Sequence, residues 1–372
     1  MSQSSQSQPF ASRCARRGLA RFRGNALTVT SAALVCIGGL AAGAGTSAAA
    51  APVTVWAVGD GPSPYPGTRT KEVTDFLHEQ EPFNDLLWLG DVYKAPTDKV
   101  YNELYDPTYG RFANQTYPTP GNHELKSARP LEPYDHYWEH HRPAVVGHKI
   151  DGMRSNLYAA DLGNGWRLLG LTSSFIPPDS APVAPDPPHP TVQDVLGFLH
   201  HELSTHTGTC YVAIMHRPRY SAGGRDEQNT DLQPIWQDLA GRVDLYVQGH
   251  EHEYFRLDPS KIPDYYPTTV SYDTNVNKHL VRGAQSFVVG TGGITLDYLD
   301  QPGQIFDTNF PGLERYLVPP SNSDKLDLSY YGALRLSLTR GKASYEYVKL
   351  DGSVYDAGTT TCKPVAHKTA GR

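Results

Sequence analysis

"VDLYVQGHEH", Val243 to His252, runs a short apolar stretch into a glycine and then into two histidines one residue apart. An apolar run of this length reads as a strand buried on both faces. The glycine lets the backbone turn sharply, so that the next side chains point across the strand end. The same pattern recurs along the chain. Gly59-Asp60 follows "VTVWAV" (Val53–Val58), Gly90-Asp91 closes "DLLWLG" (Asp85–Gly90), Gly121-Asn122-His123-Glu124 completes "YPTPGNHE", and His216 closes "CYVAIMH" (Cys210–His216). Taken singly, each piece is an ordinary turn or a surface histidine. Five in this order place oxygen and imidazole donors at successive strand ends, where open α/β sheets assemble sites from separate parts of the chain.

The intervening sequence supports an α/β reading. "TKEVTDFLHEQ" (Thr70–Gln80) has helical spacing, which makes a β-α-β unit with the strands on either side. "NLYAADLGNGWRLLGLTSS" (Asn156–Ser174) predicts a hairpin turning at Gly163-Asn164-Gly165. A Pro-rich linker, Pro177 to Pro190, precedes a helix over Thr191–His206, and a second helix is expected around Leu232–Ala240. After "SFVVGTGG" (Ser286–Gly293), alternation around Arg340-Gly341 and Asp351-Gly352 predicts antiparallel strands. Two segments rich in Pro, Asp, Asn and Tyr, Asp258–Gly283 and Asp300–Leu328, are expected to cover or line a site.

Residues 1–51 read as an export signal, with Arg13, Arg16, Arg17, Arg21 and Arg23 ahead of a mostly small, apolar Ala26–Ala42 and Ala-x-Ala cleavage choices near residues 48–51. Arg16-Arg17 leaves both the general secretory and the twin-arginine routes open. The apolar run falls short of the roughly 20 strongly apolar residues of a span, so no stable membrane anchor is expected. Residues 52–372 then form a single domain with a C-terminal strand region and a short tail. Removing five arginines and no acidic residue takes the formal net charge from −6 to −11. Such a chain is a poor nonspecific binder of nucleic acid. Only Cys210 and Cys362 remain, too far apart for a zinc knuckle. In an oxidising compartment they are either bridged, pinning the tail to an interior strand, or free. Oligomeric state leaves no sequence signal.

The donor set at the strand ends is two Asp, one Asn and three His, with no Cys. It suits Fe, Mn, Zn or Co rather than thiophilic metals, and a carboxylate can bridge two cations. Two metals about 3.5–4 Å apart can hold a hydroxide and clamp the oxygens of a phosphoryl group.

On "GNHE" (121–124), "IMHRPRY" (214–220) and "GHEHEYFR" (249–256), the chain from Val53 to about Cys362 resembles the calcineurin-like metallophosphoesterases, in particular the purple acid phosphatase-like exported bacterial branch. The resemblance implies a four-layer α/β/β/α sandwich of two mixed sheets flanked by helices. It also implies a secreted hydrolase of phosphomonoesters or phosphodiesters that uses two divalent or mixed-valence metals (Fe, Mn or Zn) and direct attack by a bridging hydroxide on a small phosphorylated substrate. Asp60 and His252 would hold the first metal, Asn122, His216 and His250 the second, and Asp91 would bridge them. His123 would face the substrate, with Glu124 orienting its neighbour. Two features depart from the family. Pro62 stands where many relatives carry a histidine, and Tyr93 falls one residue short of the Gly-Asp-x-x-Tyr spacing, so it either ligates or packs.

Arg217 and Arg225 are candidate substrate contacts, whereas His140-His141 and His200-His201 read as surface residues. Tyr254 and Arg256 either buttress the site or touch substrate. No Gly-x-Ser-x-Gly elbow supports a serine esterase. The remaining alternative is a secreted metal- or ligand-binding protein on the same fold, inactive through an incomplete first metal site.

Overall fold

β1 (Val53–Val58) is followed by α1 (Thr70–Glu79), β2 (Asp85–Trp88), β3 (Thr116–Pro118), α2 (Glu132–His141), β4 (Tyr158–Gly163), β5 (Trp166–Gly170), α3 (Val192–Thr205), β6 (Cys210–Met215) and α4 (Gln233–Leu239). Then come β7 (Leu245–Gln248), β8 (Tyr254–Leu257), β9 (Gln285–Val289), β10 (Leu313–Leu317), β11 (Gly332–Thr339), β12 (Lys342–Lys349) and β13 (Val354–Thr361). The computed structural model describes residues 50–143, 149–150, 153–154, 156–175, 190–223, 229–239, 241–262, 284–301, 304–321 and 323–362. Nearly all of the expected leader, most of the Pro-rich linker, most of Asp258–Gly283 and Arg225 lie outside these residues.

Six strands form one mixed sheet in the order β13-β12-β11-β1-β2-β3, and seven form a second in the order β10-β8-β9-β7-β6-β5-β4. β1, β2 and β3 run parallel to one another, as do β5, β6, β7 and β9. The antiparallel edges include the hairpin predicted at Gly163-Asn164-Gly165, where all three residues take positive φ. Only Asn164 of the three carries a β-carbon, and Asn is among the residues that tolerate the left-handed region.

Alternation along the strands builds the layers. Val53 of β1 lies beside Gly163 of the other sheet, whose added β-carbon would come within 3.2 Å of it, so Val55 and Ala57 also face inward. Trp56 points the other way and meets Phe76 of α1 with ring centroids 5.7 Å apart. Tyr254 stacks on Tyr347 at 3.9 Å, and Phe287 meets Tyr345 at 4.9 Å, closing the space between the sheets. On the second sheet, Val212 and Ile214 belong to the inter-sheet core. Tyr211, Ala213 and Met215 belong to an outer core with Val195 and Leu199 of α3 and Trp236 of α4. Because β6 is buried on both faces, it reads as a continuous apolar run rather than an alternating one.

α3 begins at a capping box, in which Thr191 accepts from the Asp194 N–H and the Asp194 carboxylate accepts from the Thr191 N–H at 2.7 Å. On the first sheet's outer face, Trp88 packs on Tyr105 and Tyr109, and Tyr137 and Trp138 of α2 pack on Tyr105. Helices thus cover the outer faces of two face-to-face mixed sheets.

Cys210 and Cys362 are disulfide-bonded. Cys210 begins β6 and Cys362 follows β13, so the bond joins the two sheets across a sequence separation of 152 residues. Closing a loop that long restricts the unfolded chain strongly. Cys362→Ser should therefore lower unfolding free energy by about 2–4 kcal/mol in non-reducing urea melts, with the far-UV spectrum retained. Equal stability of variant and wild type would remove the bond from the account of this fold.

Candidate metal centre

The carboxyl ends of β1, β2 and β3 in one sheet meet those of β6 and β7 in the other, and each delivers one or two polar residues. Asp60, Asp91 and His250 all take left-handed φ, at 65°, 65° and 78°, a conformation that costs a residue with a β-carbon about 1–3 kcal/mol unless its surroundings impose it. Hydrogen bonds impose it here. Asp60 N–H donates to Gly90 O at 2.9 Å and Gly61 N–H to Asp91 O at 3.2 Å, while His250 N–H donates to Asp60 Oδ2 at 2.8 Å. Glycine is required where loops nearly touch. A β-carbon on Gly121 would overlap the Asp91 carboxylate, and one on Gly249 would lie 2.6 Å from Asp60 Oδ2.

All six predicted ligands come together in one cluster. His216 Nε2 lies 3.2 Å from Asp91 Oδ2, 3.0 Å from Asn122 Oδ1 and 3.1 Å from His250 Nδ1, and His250 Nδ1 is 2.9 Å from Asn122 Oδ1. On the other side, His252 Nε2 is 3.7 Å from Asp60 Oδ1. Tyr93 joins this second half: its hydroxyl is 2.9 Å from Asp60 Oδ1 and 2.5 Å from His252 Nε2. A one-residue deficit against the family spacing therefore does not keep the phenol away, because the loop after Gly90 and Asp91 is turned and the Tyr93 N–H is anchored on Pro62 O at 2.8 Å.

Backbone carbonyls set which ring nitrogens face inward. Leu89 O can only accept, so His216 Nδ1, 2.8 Å away, carries a proton and turns Nε2 toward the cluster. Thr295 O does the same for His252 Nδ1 at 2.9 Å. Lone pairs of imidazole, amide and carboxylate thus converge on one buried space, which calls for a proton or a cation between them. Their 2.9–3.2 Å spacing approaches the roughly 3.0–3.4 Å separating neighbouring donors around an ion bound at about 2.1 Å. The residues present fit a transition metal of the kind their donor chemistry implies.

Electrostatics match this geometry. Burial would raise the Asp91 carboxyl, but the charge and hydrogen bond of His216 hold it well below the usual carboxylate range. Burial works against charge on His216 too, yet Asp91 and Asp60 push it up to about 9. Asp60, desolvated and close to Asp91, is pushed up to about 7. His123 is pushed down to about 4, chiefly by burial. Its ring lies 4.2 Å from that of Tyr93, with Nε2 3.9 Å from Asp91 Oδ2 and 3.3 Å from Lys126 Nζ.

Glu124 differs from the expectation that it orients His123. Its Oε2 accepts from the N–H groups of Gly121 at 2.7 Å and Asp91 at 3.2 Å, and its Oε1 accepts from the Val92 N–H at 2.7 Å and the Tyr101 hydroxyl at 3.3 Å. It fixes two loops, and it is Asp91 Oδ1 that receives the His123 N–H, at 2.8 Å. Arg217 is also placed otherwise: its guanidinium is occupied by Asp231 at 2.9 Å, Ser173 O at 3.2 Å and Asn229. Tyr254 and Arg256 are buttresses, both donating to Asp356 Oδ2 at 2.7 Å. His200 pairs with Asp238 on the surface, and His141 stacks on Tyr137. Sequence reasoning missed Asp297, whose Oδ2 accepts from the His252 N–H at 3.2 Å, and the carbonyls of Leu89 and Thr295. An isolated aspartate and two backbone oxygens leave no pattern to find.

A two-sheet sandwich that collects Asp, Asn and His donors at the ends of its parallel strands is the architecture of a metallophosphoesterase. The family model for calcineurin-like phosphoesterases matches residues 64–254, over half of the sequence, and the chain belongs to that family. No curated protein sequence matches it. Among solved structures, it superposes on purple acid phosphatase PPD1 from yellow lupin (Lupinus luteus) seeds with a TM-score of 0.54 and 17% identity, covering 86% of this chain but only 58% of that one. It superposes on GAP50, titled the anchor in the inner membrane complex of Plasmodium, with a TM-score of 0.53 and 11% identity over 84% of this chain and 90% of that one. PhoD gives a TM-score of 0.50 and 12% identity over 84% and 69%. At these identities the likeness is one of fold.

Each Glu124 oxygen faces two donors, so neither orientation of a glutamine amide can replace the carboxylate without turning an NH2 toward N–H groups. Glu124→Gln should destabilise the metal-free protein by about 1–3 kcal/mol in chemical denaturation, and an unchanged midpoint would sink the role given to this carboxylate.

Proposed function

We propose that the chain is an exported, two-metal phosphoesterase hydrolysing small phosphomonoesters or phosphodiesters. The observation that carries this reading is the convergence on one cluster, with lone pairs turned inward, of buried Asp60, Asp91, His216, His250 and His252 and half-buried Asn122. Asp60, His252 and Tyr93 would hold one ion, Asn122, His216 and His250 the other, and Asp91 would serve both. The Tyr93 phenol adds a hard anionic donor to the first half that offsets the missing histidine at Pro62 and suits iron. Metal ions held there would supply Lewis acidity to polarise a phosphoryl oxygen and lower the pKa of water.

The chain's own residues would supply the rest. His123, beside Asp91 and ring to ring with Tyr93, is placed to lend a proton to the leaving oxygen. Burial keeps its imidazole neutral at neutral pH and makes it a strong acid once protonated. Export is supported by the composition of residues 1–51 and by the Cys210–Cys362 bond, which belongs to an oxidising compartment. Among the described residues, no helix is long and apolar enough to cross a membrane.

Full-length protein reconstituted with Mn, Zn or Fe should hydrolyse p-nitrophenyl phosphate or its bis-ester, and Asp91→Ala or His250→Ala should abolish this together with metal uptake. His123→Ala should keep the metal but lose about 10²–10⁴ in rate on alkyl esters, and less on p-nitrophenyl esters, whose leaving group needs no proton. A wild type that binds one ion or none and cleaves neither ester would favour the binding-protein alternative.

Metal uptake must displace the protons held by His216 up to about 9 and Asp60 up to about 7. Apparent affinity should therefore climb about tenfold per pH unit between 7 and 9, and more steeply below 7. Calorimetric titration with Zn or Mn at several pH values measures this slope, and a flat profile would contradict it.

A further inference from the structure

We propose that Lys126 reads the second negative charge of a phosphomonoester at the mouth of the centre, and so selects dianionic monoesters over monoanionic diesters. The inference rests on the phosphoesterase reading above and adds a substrate class to it.

Lys126 ends a single 3-10 turn, Glu124–Lys126, that begins directly after His123. The turn is fixed at both ends: the Glu124 carboxylate takes four donors, and the Lys126 N–H donates to His123 O at 3.0 Å. From this anchored base the side chain brings Nζ to 3.3 Å from His123 Nε2. Lys126 is exposed and His123 half-buried, so the charge sits on the solvent side of the imidazole. The same nitrogen lies 3.9 Å from Asp91 Oδ2. A single imidazole nitrogen therefore stands beside both an exposed cation and the Asp91 carboxylate of the cluster.

Three arginines among the described residues are already neutralised or enclosed. Arg217 is held by Asp231, Asn229 and Ser173. Arg219 is fully buried, donating to Gln233 at 2.6 Å and lying over the Tyr220 ring. Arg256 is paired with Asp356 and Glu314. Among the described residues, no ion pair engages Lys126, and its side chain meets His123.

Charge decides which substrate profits. The cluster contains Asp60 and Asp91, with Glu124, Glu251, Glu253 and Asp297 buried close by in sequence or contact, and the chain as a whole carries a formal charge of −6. A diester brings one negative charge to this surface and a monoester two, so a cation at the mouth discriminates between them through the charge that differs. The recognised chemistry is the terminal phosphoryl dianion, which inorganic phosphate shares.

The test uses the metal-reconstituted full chain, comparing wild type, Lys126→Met and Lys126→Arg on p-nitrophenyl phosphate and bis(p-nitrophenyl) phosphate, with inorganic phosphate titrated calorimetrically against each. Lys126→Met should raise KM for the monoester and the dissociation constant of phosphate about tenfold. The monoester-to-diester ratio of kcat/KM should fall by a similar factor, chiefly through KM. Lys126→Arg should recover most of the loss, and the effect should shrink as ionic strength rises. Equal shifts on both esters, a loss confined to kcat, or a wild type that prefers the diester would overturn the proposal. If the wild type cleaves neither ester, the phosphoesterase reading fails, and the phosphate titration decides Lys126 by itself: unchanged affinity in Lys126→Met overturns it, and a tenfold loss sustains it.

Discussion

Asp91, through its buried carboxylate and its backbone, is bonded into three loops at once. Its Oδ1 receives the His123 N–H, its Oδ2 faces His216, its carbonyl receives Gly61 N–H, and its own N–H goes to Glu124. Such a group is tolerable in a protein interior only when opposite charge and hydrogen bonds compensate its lost hydration. Here the compensation comes from His123 after β3, His216 after β6 and His250 after β7. Removing this carboxylate would leave the His123 N–H and the His216 imidazole, on two chain segments, without their acceptor, so the centre's shape and its chemistry rest on the same group.

Parallel strands explain how such a group is served from both sheets. Their carboxyl ends emerge along one edge, and each of the loops there needs only a glycine and one or two side chains to reach the middle. Left-handed φ at Asp60, Asp91 and His250 is local strain that the sandwich can carry, because rigid strands fix both sides of each turn and neighbouring loops bond across it. Glu124 acts as the clasp between the β2 and β3 loops, and Asp60 between the β1 and β7 loops.

Much of this was legible in the residues alone. Buried parallel strands are written as unbroken apolar runs, so their ends were visible, and the donors at those ends were conspicuous because Asp, Asn and His have no packing reason to be there. What escaped was whatever depends on the path of a loop. Tyr93 was ambiguous because counting residues assumes a standard turn, and the turn at Gly90-Asp91 is tighter than that. Glu124 was read as serving the residue beside it, whereas its oxygens serve backbone groups about thirty residues earlier as well. Arg217 looked available to substrate because nothing in "HRPRY" announces Asp231 and Asn229. The aromatic roof of Tyr105, Tyr109 and Trp138 over Trp88 was equally hidden, since short helical turns carry little periodicity.

β1 lies in the interior of its sheet, parallel to β2 on one side and antiparallel to β11 on the other, with Val53 opposite Leu338 and Ala57 opposite Leu334. The segment that aims Asp60 is thus flanked by chain made some 280 residues later. While that later stretch is still being synthesised, β1 has an open edge of bare amides and carbonyls, and the earliest ligand has no settled position. Assembly of the centre is therefore one of the last events in the life of the nascent polypeptide, and a prematurely terminated product would keep most of the ligands but lack the geometry that makes them useful.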